Sequence, residues 1–115
     1  MQYMLLIYGA EDRWAKLTPA QASETMGAFR AYTDELRKSG KLVAGSQLQP
    51  EASAKSVSLL NGQRRVSDGP YVDIKEALGG YYLIEAENDA EALQWAEKCP
   101  GARFGGIEVR PLVAM

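Results

Sequence analysis

The chain has 115 residues, of which 46% are apolar and 24% are charged, and this is the composition of an ordinary folded globular protein. The length is typical of one domain, so we expect a single domain over residues 1–115. Its 13 basic and 15 acidic residues give a net charge of −2. Because no basic stripe is present to neutralise phosphates, direct binding to nucleic acid is not expected.

The sequence contains no histidine and a single cysteine. Histidine is the usual general base near neutral pH and the commonest metal ligand, so we expect neither a metal site nor a bound cofactor. A single cysteine excludes an internal disulfide and fits a reducing compartment. The apolar run at residues 4–8 is too short to span a membrane and has no signal-peptide features. We therefore expect a cytoplasmic protein that does not contact membranes.

The first predicted element is a strand over residues 2–8. Its apolar side chains alternate between two faces, with Tyr3, Leu5 and Ile7 on one and Met4, Leu6 and Tyr8 on the other. A strand that is apolar on both faces is typical of the centre of a covered sheet. In so short a chain the helices can cover one face, so we expect a partner subunit or a folded-back segment on the other.

After a predicted loop at 9–17, Thr18, Pro19 and Gln21 form a capping signal for a helix that ends at Gly40. A second strand is predicted at 41–47. The Asn61-Gly62 pair is then a strong hairpin signal between strands at 56–60 and 63–67. A two-residue turn predicts the cross-strand pairs Val57–Val66, Ser58–Arg65 and Leu59–Arg64.

The rest of the chain predicts one helical turn around 74–78, a strand at 80–86, a helix capped by Asn88 and stopped by Pro100-Gly101, and a strand at 107–113. Leu93, Trp95 and Cys99 are expected on the apolar arc of that helix. Without the hairpin, the order is the split β-α-β-β-α-β arrangement. We predict an α+β, ferredoxin-like fold with an inserted β-hairpin.

Six segments of the chain match a known family in the right order. They are MQYMLLIY at 1–8, GKLVAG at 40–45, DGPY at 68–71, GGYYLIEA at 79–86, EALQWA at 91–96 and IEVRP at 107–111. The chain therefore resembles the DGPF-type branch of the YCII-related (YciI-like) proteins. The resemblance implies a ferredoxin-like fold of the dimeric alpha-beta barrel type, with clefts enclosed between the sheets of a homodimer.

The resemblance also bears on activity. Catalytic relatives, similar to muconolactone-type isomerases and a dehalogenase, use a His-Asp pair whose histidine would fall near Phe29. Because this chain has no histidine, that catalytic pair is not carried over. The DGPF branch is also associated with transcription regulation through sigma factors, which implies a partner-binding role as an alternative.

Asp68 is the candidate catalytic residue, and two interpretations of it stay open. Its carboxylate can bond backbone N–H groups two residues on and shape the Gly69-Pro70 corner as an Asx-turn. Alternatively it points into a cleft and acts as a base or polar anchor.

The candidate ligand-binding residues are four tyrosines and an arginine, namely Tyr8, Tyr71, Tyr81, Tyr82 and Arg110. The tyrosines either pack in the core and subunit contact or wall a ligand and donate from their hydroxyls. Arg110 either pairs with Glu108 or receives a carboxylate or phosphate. Arg30 and Trp14 are weaker candidates, as a solvated charge and a loop anchor. Cys99 is expected to be a buried structural thiol.

These features predict a homodimer that binds a small anionic organic molecule in a cleft near the dimer interface. Two alternatives remain. One is a cofactor-free isomerase or lyase that uses Asp68 with tyrosine and arginine groups, and the other is a non-catalytic module that binds regulatory partners. The sequence does not decide whether the hairpin at 56–67 belongs to the dimer contact or to the rim of the cleft.

Overall fold

Four antiparallel strands form the main sheet of the computed structural model, which describes residues 1–114. In chain order the elements are β1 (Gln2–Gly9), α1 (Glu11–Ala15), α2 (Pro19–Lys38), β2 (Leu42–Gln47), β3 (Lys55–Leu60), β4 (Gln63–Asp68), β5 (Ala77–Glu85), α3 (Asp89–Lys98) and β6 (Gly106–Pro111). The main sheet has the order β2-β5-β1-β6, and β3 and β4 form a separate hairpin. This is the ferredoxin-like β-α-β-β-α-β arrangement, so the predicted α+β fold is confirmed.

One face of the main sheet packs against α2 and α3. Leu5 of β1 pairs with Tyr82 of β5, and antiparallel partners project to the same face. On that face the sheet packs in one core with Leu36 of α2 and Ala92 of α3. Leu5, Leu36 and Ala92 are all fully buried. Burial of this apolar surface is the main favourable contribution to folding.

The helix ends follow the local signals in the sequence. Thr18 and Gln21 form the reciprocal capping box at the start of α2, and the Asn88 side chain accepts from the Glu91 N–H at the start of α3. Gly40 follows α2 with φ of 76°, a left-handed conformation that glycine adopts at little cost. All three predicted helix boundaries are confirmed. They could be predicted because a helix cap depends on neighbouring residues alone.

The hairpin also has the predicted register. Val57 pairs with Val66, and Leu59 pairs with Arg64. Asn61 and Gly62 have φ of 52° and 77°, as the tight turn between two antiparallel strands requires.

Other local predictions were wrong. Residues 74–78 form no helical turn, because Ala77 and Leu78 already pair with β1 as the first residues of β5. The predicted loop at 9–17 contains the short helix α1, whose first turn carries Glu11 and Asp12, and negative charge there is favourable. Leu93 is 57% exposed rather than on the buried arc of α3.

The opposite face of the main sheet carries the alternate residues of the same strands. Leu6 pairs with Tyr81, and Met4 pairs with Leu83. These four side chains are partly exposed, whereas the helix-facing Leu5 is fully buried. We call this surface the open sheet face. The apolar side chains of β1 are thus buried on the helix-facing side and only partly buried on the other side.

Within the described residues, no helix is long and apolar enough to cross a membrane.

Cys99 follows α3 and is 1% exposed, and burial raises the pKa of its thiol to about 11. The folded state therefore keeps a proton that the unfolded thiol releases near pH 8.5. We expect the free energy of unfolding to fall by about 2 kcal/mol through this group as the pH rises from 9 to 11. Urea denaturation across this pH range measures the fall.

Tyr32 and Tyr82 have pKa values raised mainly by burial, so they add to the alkaline loss. Cys99→Ala isolates the contribution of the thiol, because it should lessen the dependence on pH between 9 and 11. An equal pH dependence in both proteins would contradict the prediction, as would rapid alkylation of the native thiol near pH 8.

Candidate ligand-binding site

A cavity of about 580 Å³ lies between α2 and the part of the sheet formed by β1, β2 and β5. Its walls also include α1 and the segment that follows α3. A volume of this size is in the range of small-molecule sites in proteins, which is roughly 300–1,000 Å³. We therefore treat it as the candidate site.

Glycines create much of the space on the sheet side of the cavity. Gly45, Gly79, Gly80 and Gly101 all line it. Gly80 pairs with Ile7, and a Cβ there would lie 3.0 Å from the Ser46 carbonyl oxygen. The close approach of neighbouring backbone therefore explains the glycine at position 80.

Aromatic side chains form the opposite wall. Phe29 projects from α2, Trp14 from α1, and Phe104 from the segment before β6. The ring centroid of Trp14 is 6.3 Å from that of Phe29 and 6.2 Å from that of Phe104. Tilted aromatic contacts at these distances are favourable and hold the rings in place. Trp14 thus anchors the segment before α2, as expected, and also offers apolar surface to a ligand.

A pair of hydroxyl groups lies at the inner side of the cavity. The Tyr82 and Thr33 oxygens are 2.7 Å apart, and the Thr33 hydroxyl donates to the Phe29 carbonyl oxygen at 2.8 Å. Since threonine has one hydroxyl proton, the Tyr82 hydroxyl is the donor to Thr33. Burial raises the pKa of Tyr82 above the usual value for a phenol. At neutral pH Tyr82 is therefore a protonated phenol, and its hydroxyl proton is donated to Thr33.

Four charged side chains lie at the cavity, and three of them already have partners. Arg37 pairs with Asp34 at 2.9 Å. Glu11 accepts from the Glu51 N–H at 2.8 Å. Arg30 is the exception, because its guanidinium has no ion pair or side-chain hydrogen bond with any group in residues 1–114.

The predicted tyrosines are divided between the two faces of the sheet. Tyr82 belongs to the cavity and the helix-facing side, where its ring packs edge-on against Tyr32 with centroids 5.3 Å apart. Tyr8 and Tyr81 also line the cavity. Their strand positions alternate with Ile7 and Tyr82, so their side chains project to the open sheet face.

Three predicted residues lie outside the cavity lining of the single chain. Asp68 is exposed at the end of β4 and pairs with Lys55 across the hairpin. It does not close an Asx-turn, because the residue two positions on is Pro70, which has no N–H to donate. Tyr71 is 81% exposed in the following segment. Arg110 pairs with Glu108 of the same strand, β6, which was one of its two predicted roles. The hairpin and the outer strand hold these side chains away from α2, and their proposed roles stay predictions.

Thr33, Phe29 and Met26 were not predicted as cavity residues, because apolar residues at helical spacing are typical of a helix face that packs in the core. They share one face of α2 with Arg30, at spacings of three and four residues. Arg30 and Thr33 are polar residues beside these apolar ones, and they were the available sign in the sequence that this helix face borders a cavity. The described part of the chain has no group of three acidic, histidine or cysteine side chains that could hold a metal ion.

The Tyr82–Thr33 bond gives a stability prediction. We expect Tyr82→Phe to lower the free energy of unfolding by about 1 kcal/mol, because the ring stays packed while one hydrogen bond is lost. Tyr81→Phe is the matched control and should change it by less than about 0.5 kcal/mol. Urea denaturation measures both changes, and equal stabilities of the two variants would contradict a contribution from this bond.

Comparison with known proteins agrees with this fold. The YCII-related domain matches residues 1–115. An uncharacterized protein of Rhizobium meliloti (strain 1021) is 32% identical over 114 residues, which cover 97% of this chain and 92% of that protein.

A solved structure shows the same fold at low sequence identity. It is the 5-chloro-2-hydroxyhydroquinone dehydrochlorinase of Burkholderia phenoliruptrix AC1100 in complex with 2,5-dihydroxybenzoquinone, with a TM-score of 0.57 and 16% identity. The likeness covers 98% of this chain and 94% of that one. Membership of the DGPF-type branch stays a prediction, whereas the match over all residues establishes membership of the family. The chain belongs to the YCII-related family.

Proposed function

We propose that the protein binds a small anionic organic molecule in the cavity beneath α2. The observation that carries this proposal is the combination of an aromatic wall with Arg30, a cation that has no acidic partner in the described residues. Phe29, Trp14 and Phe104 can bury an apolar ring or chain. Arg30 can bind a carboxylate through two parallel N–H donors.

The charges around the cavity favour one orientation of the ligand. Arg37 is partly neutralised by Asp34, so Arg30 is the stronger attraction for an anion. Arg30 is exposed, whereas Tyr82 is 9% exposed and lies deeper. The anionic group therefore lies at the mouth, and the apolar part points inward to the glycines. The fold relative that holds 2,5-dihydroxybenzoquinone gives support by analogy alone, since one fold hosts many functions.

Catalysis has less support than binding. The sequence has no histidine, and Asp68 pairs with Lys55 on the hairpin. The two carboxylates that line the cavity are Glu11 and Asp34, and both already accept hydrogen bonds from protein groups. An isomerase or lyase would need a free base near the buried end, where Tyr82 keeps its proton.

Arg30 provides a direct test with benzoate as the probe. We expect Arg30→Gln to weaken the binding of benzoate by roughly tenfold, because a charged hydrogen bond is lost. Lys38→Gln makes the same change in net charge on the same helix, away from the cavity lining, and should leave binding unchanged. Isothermal titration calorimetry measures the affinities.

Benzamide, which has the same ring without the charge, separates the two parts of the proposal. It should bind wild type and Arg30→Gln equally. A benzoate affinity that is the same in wild type and Arg30→Gln would contradict the role of Arg30, and no binding of either probe would count against this ligand class.

We also propose that the protein is a homodimer in which a second copy covers the open sheet face. Leu6, Met4 and Leu83 give that face an apolar centre that one chain leaves partly exposed. Tyr8 and Tyr81 project to this face from β1 and β5, the same two strands that border the cavity on their other side.

A charge on the open sheet face should disrupt this dimer. We expect wild type to sediment as a dimer at about 10 µM and Leu6→Glu as a monomer, since an unpaired charge is costly to bury. Ser23→Glu on the exposed side of α2 is the control and should remain dimeric. Sedimentation velocity distinguishes these states, and a monomeric wild type would contradict the proposal.

A further inference from the structure

The hairpin formed by β3 and β4, residues 55–68, has its apolar side exposed. Val57, Leu59 and Val66 are 64%, 72% and 50% exposed. Ser56 and Ser58, which alternate with them, are half-buried, and the Ser56 hydroxyl donates to the Gly69 carbonyl oxygen at 2.8 Å.

This exposure is the reverse of what an isolated chain needs. A two-stranded hairpin at a surface normally turns its apolar side chains inward and its polar ones to water. The apolar face of this hairpin contacts little of its own chain. It therefore has the character of a surface that is covered by something outside the chain.

The size of the whole molecule points to the same conclusion. A monomer of 12.6 kDa is expected to expose about 6,200 Å² and to have a radius of gyration of about 13 Å. This chain exposes 8112 Å² and has a radius of gyration of 16.0 Å, with extents of 46 × 43 × 18 Å. The excess is about 1,900 Å² of surface, and the molecule is flat and extended.

That excess is larger than a single ordinary contact would bury. A standard interface covers about 800 Å² on each partner, and only large obligate interfaces approach the excess seen here. Contact through the open sheet face alone would thus leave apolar surface uncovered. The open sheet face and the apolar side of the hairpin belong to the same chain. In a two-fold dimer both copies would bury both surfaces.

We propose that the hairpin is an intersubunit arm, whose face of Val57, Leu59 and Val66 packs on a second copy of this chain. This inference rests on the homodimer proposed above and adds a second contact to it. Arg64 projects to the same face as the partner of Leu59, and arginine is among the residues enriched in such interfaces.

A charge on each side of the hairpin tests the arm. We expect Val57→Asp to raise the dissociation constant of the dimer by roughly tenfold or more. Ser67→Asp places the same charge on the polar side of the same hairpin and should change the constant by less than about twofold. Sedimentation velocity over a concentration series measures both values.

The outcomes separate the arm from the dimer itself. If Leu6→Glu dissociates the dimer and Val57→Asp does not, the dimer stands and the arm is wrong, and a different partner then takes this face. If wild type is monomeric at every concentration, both proposals fail. Benzoate binding by the cavity is measured separately and does not depend on either result.

Spin labelling keeps the test decisive if Val57→Asp disturbs the hairpin. Cys99 is 1% exposed, so a label attaches selectively to an introduced cysteine. A label at Leu59→Cys should be immobilised in the dimer or should dissociate it. A label at Ser67→Cys should stay mobile in an intact dimer, and equal mobility at both positions in an intact dimer would overturn the proposal.

Discussion

Strand β1 pairs with β5 on one side and with β6 on the other, and this central position constrains both faces of the sheet. Its alternation sends Leu5 against the helices, where it is fully buried, and Leu6 to the opposite side. A shift of one residue in register would exchange the two sets of side chains. Because both sets are apolar, the helices cover only one of the two apolar faces, and the proposed second copy would cover the other.

The cavity is a consequence of how α2 crosses this sheet. Helix and sheet could pack closely there only if side chains filled the gap, but Gly45 and Gly80 supply none. Aromatic rings on α1 and α2 close the outer side without filling the space. The space is therefore maintained by the rigid backbone of neighbouring strands, which suits a preformed binding site.

The hydrogen bonds inside the cavity limit its chemistry. Tyr82 donates to Thr33, and Thr33 donates to the Phe29 carbonyl oxygen. The phenol proton of Tyr82 is therefore engaged in a hydrogen bond within the protein. Burial raises the pKa of Tyr82 and keeps it neutral. Arg30 adds a cation that can bind a carboxylate through two N–H donors. A neutral phenol beside a cation that is free within residues 1–114 supports the proposed binding of an anion more than it supports proton transfer.

The hairpin presents an energetic problem of a different kind. Two strands with an exposed apolar side are marginal when isolated in water. Val57 and Leu59 are more exposed than the serines beside them, although their turn is well formed. Local turn chemistry explains why the hairpin forms, and a contact beyond the chain would explain why this side is apolar.

Sequence alone determined the features that depend on adjacent residues. The helix caps at Thr18 and Asn88, the Asn61-Gly62 turn and the pairing of Val57 with Val66 were predicted because turn and cap geometry is local. Alternation and element order were enough for the ferredoxin-like fold. The helical turn near Ile74 was wrong, because pairing of Ala77 with Gly9 outweighed local preference.

Tertiary structure decided the site. Whether Tyr82, Asp68 or Arg110 meets a cavity depends on how α2, the hairpin and the outer strand are placed in space, and no short-range pattern contains that information. It brought Arg30 and Thr33 to the cavity with Tyr82 and left Asp68 with Lys55. A strand's own sequence shows which side chains share a face, but the elements packed against that face determine what those side chains can bind.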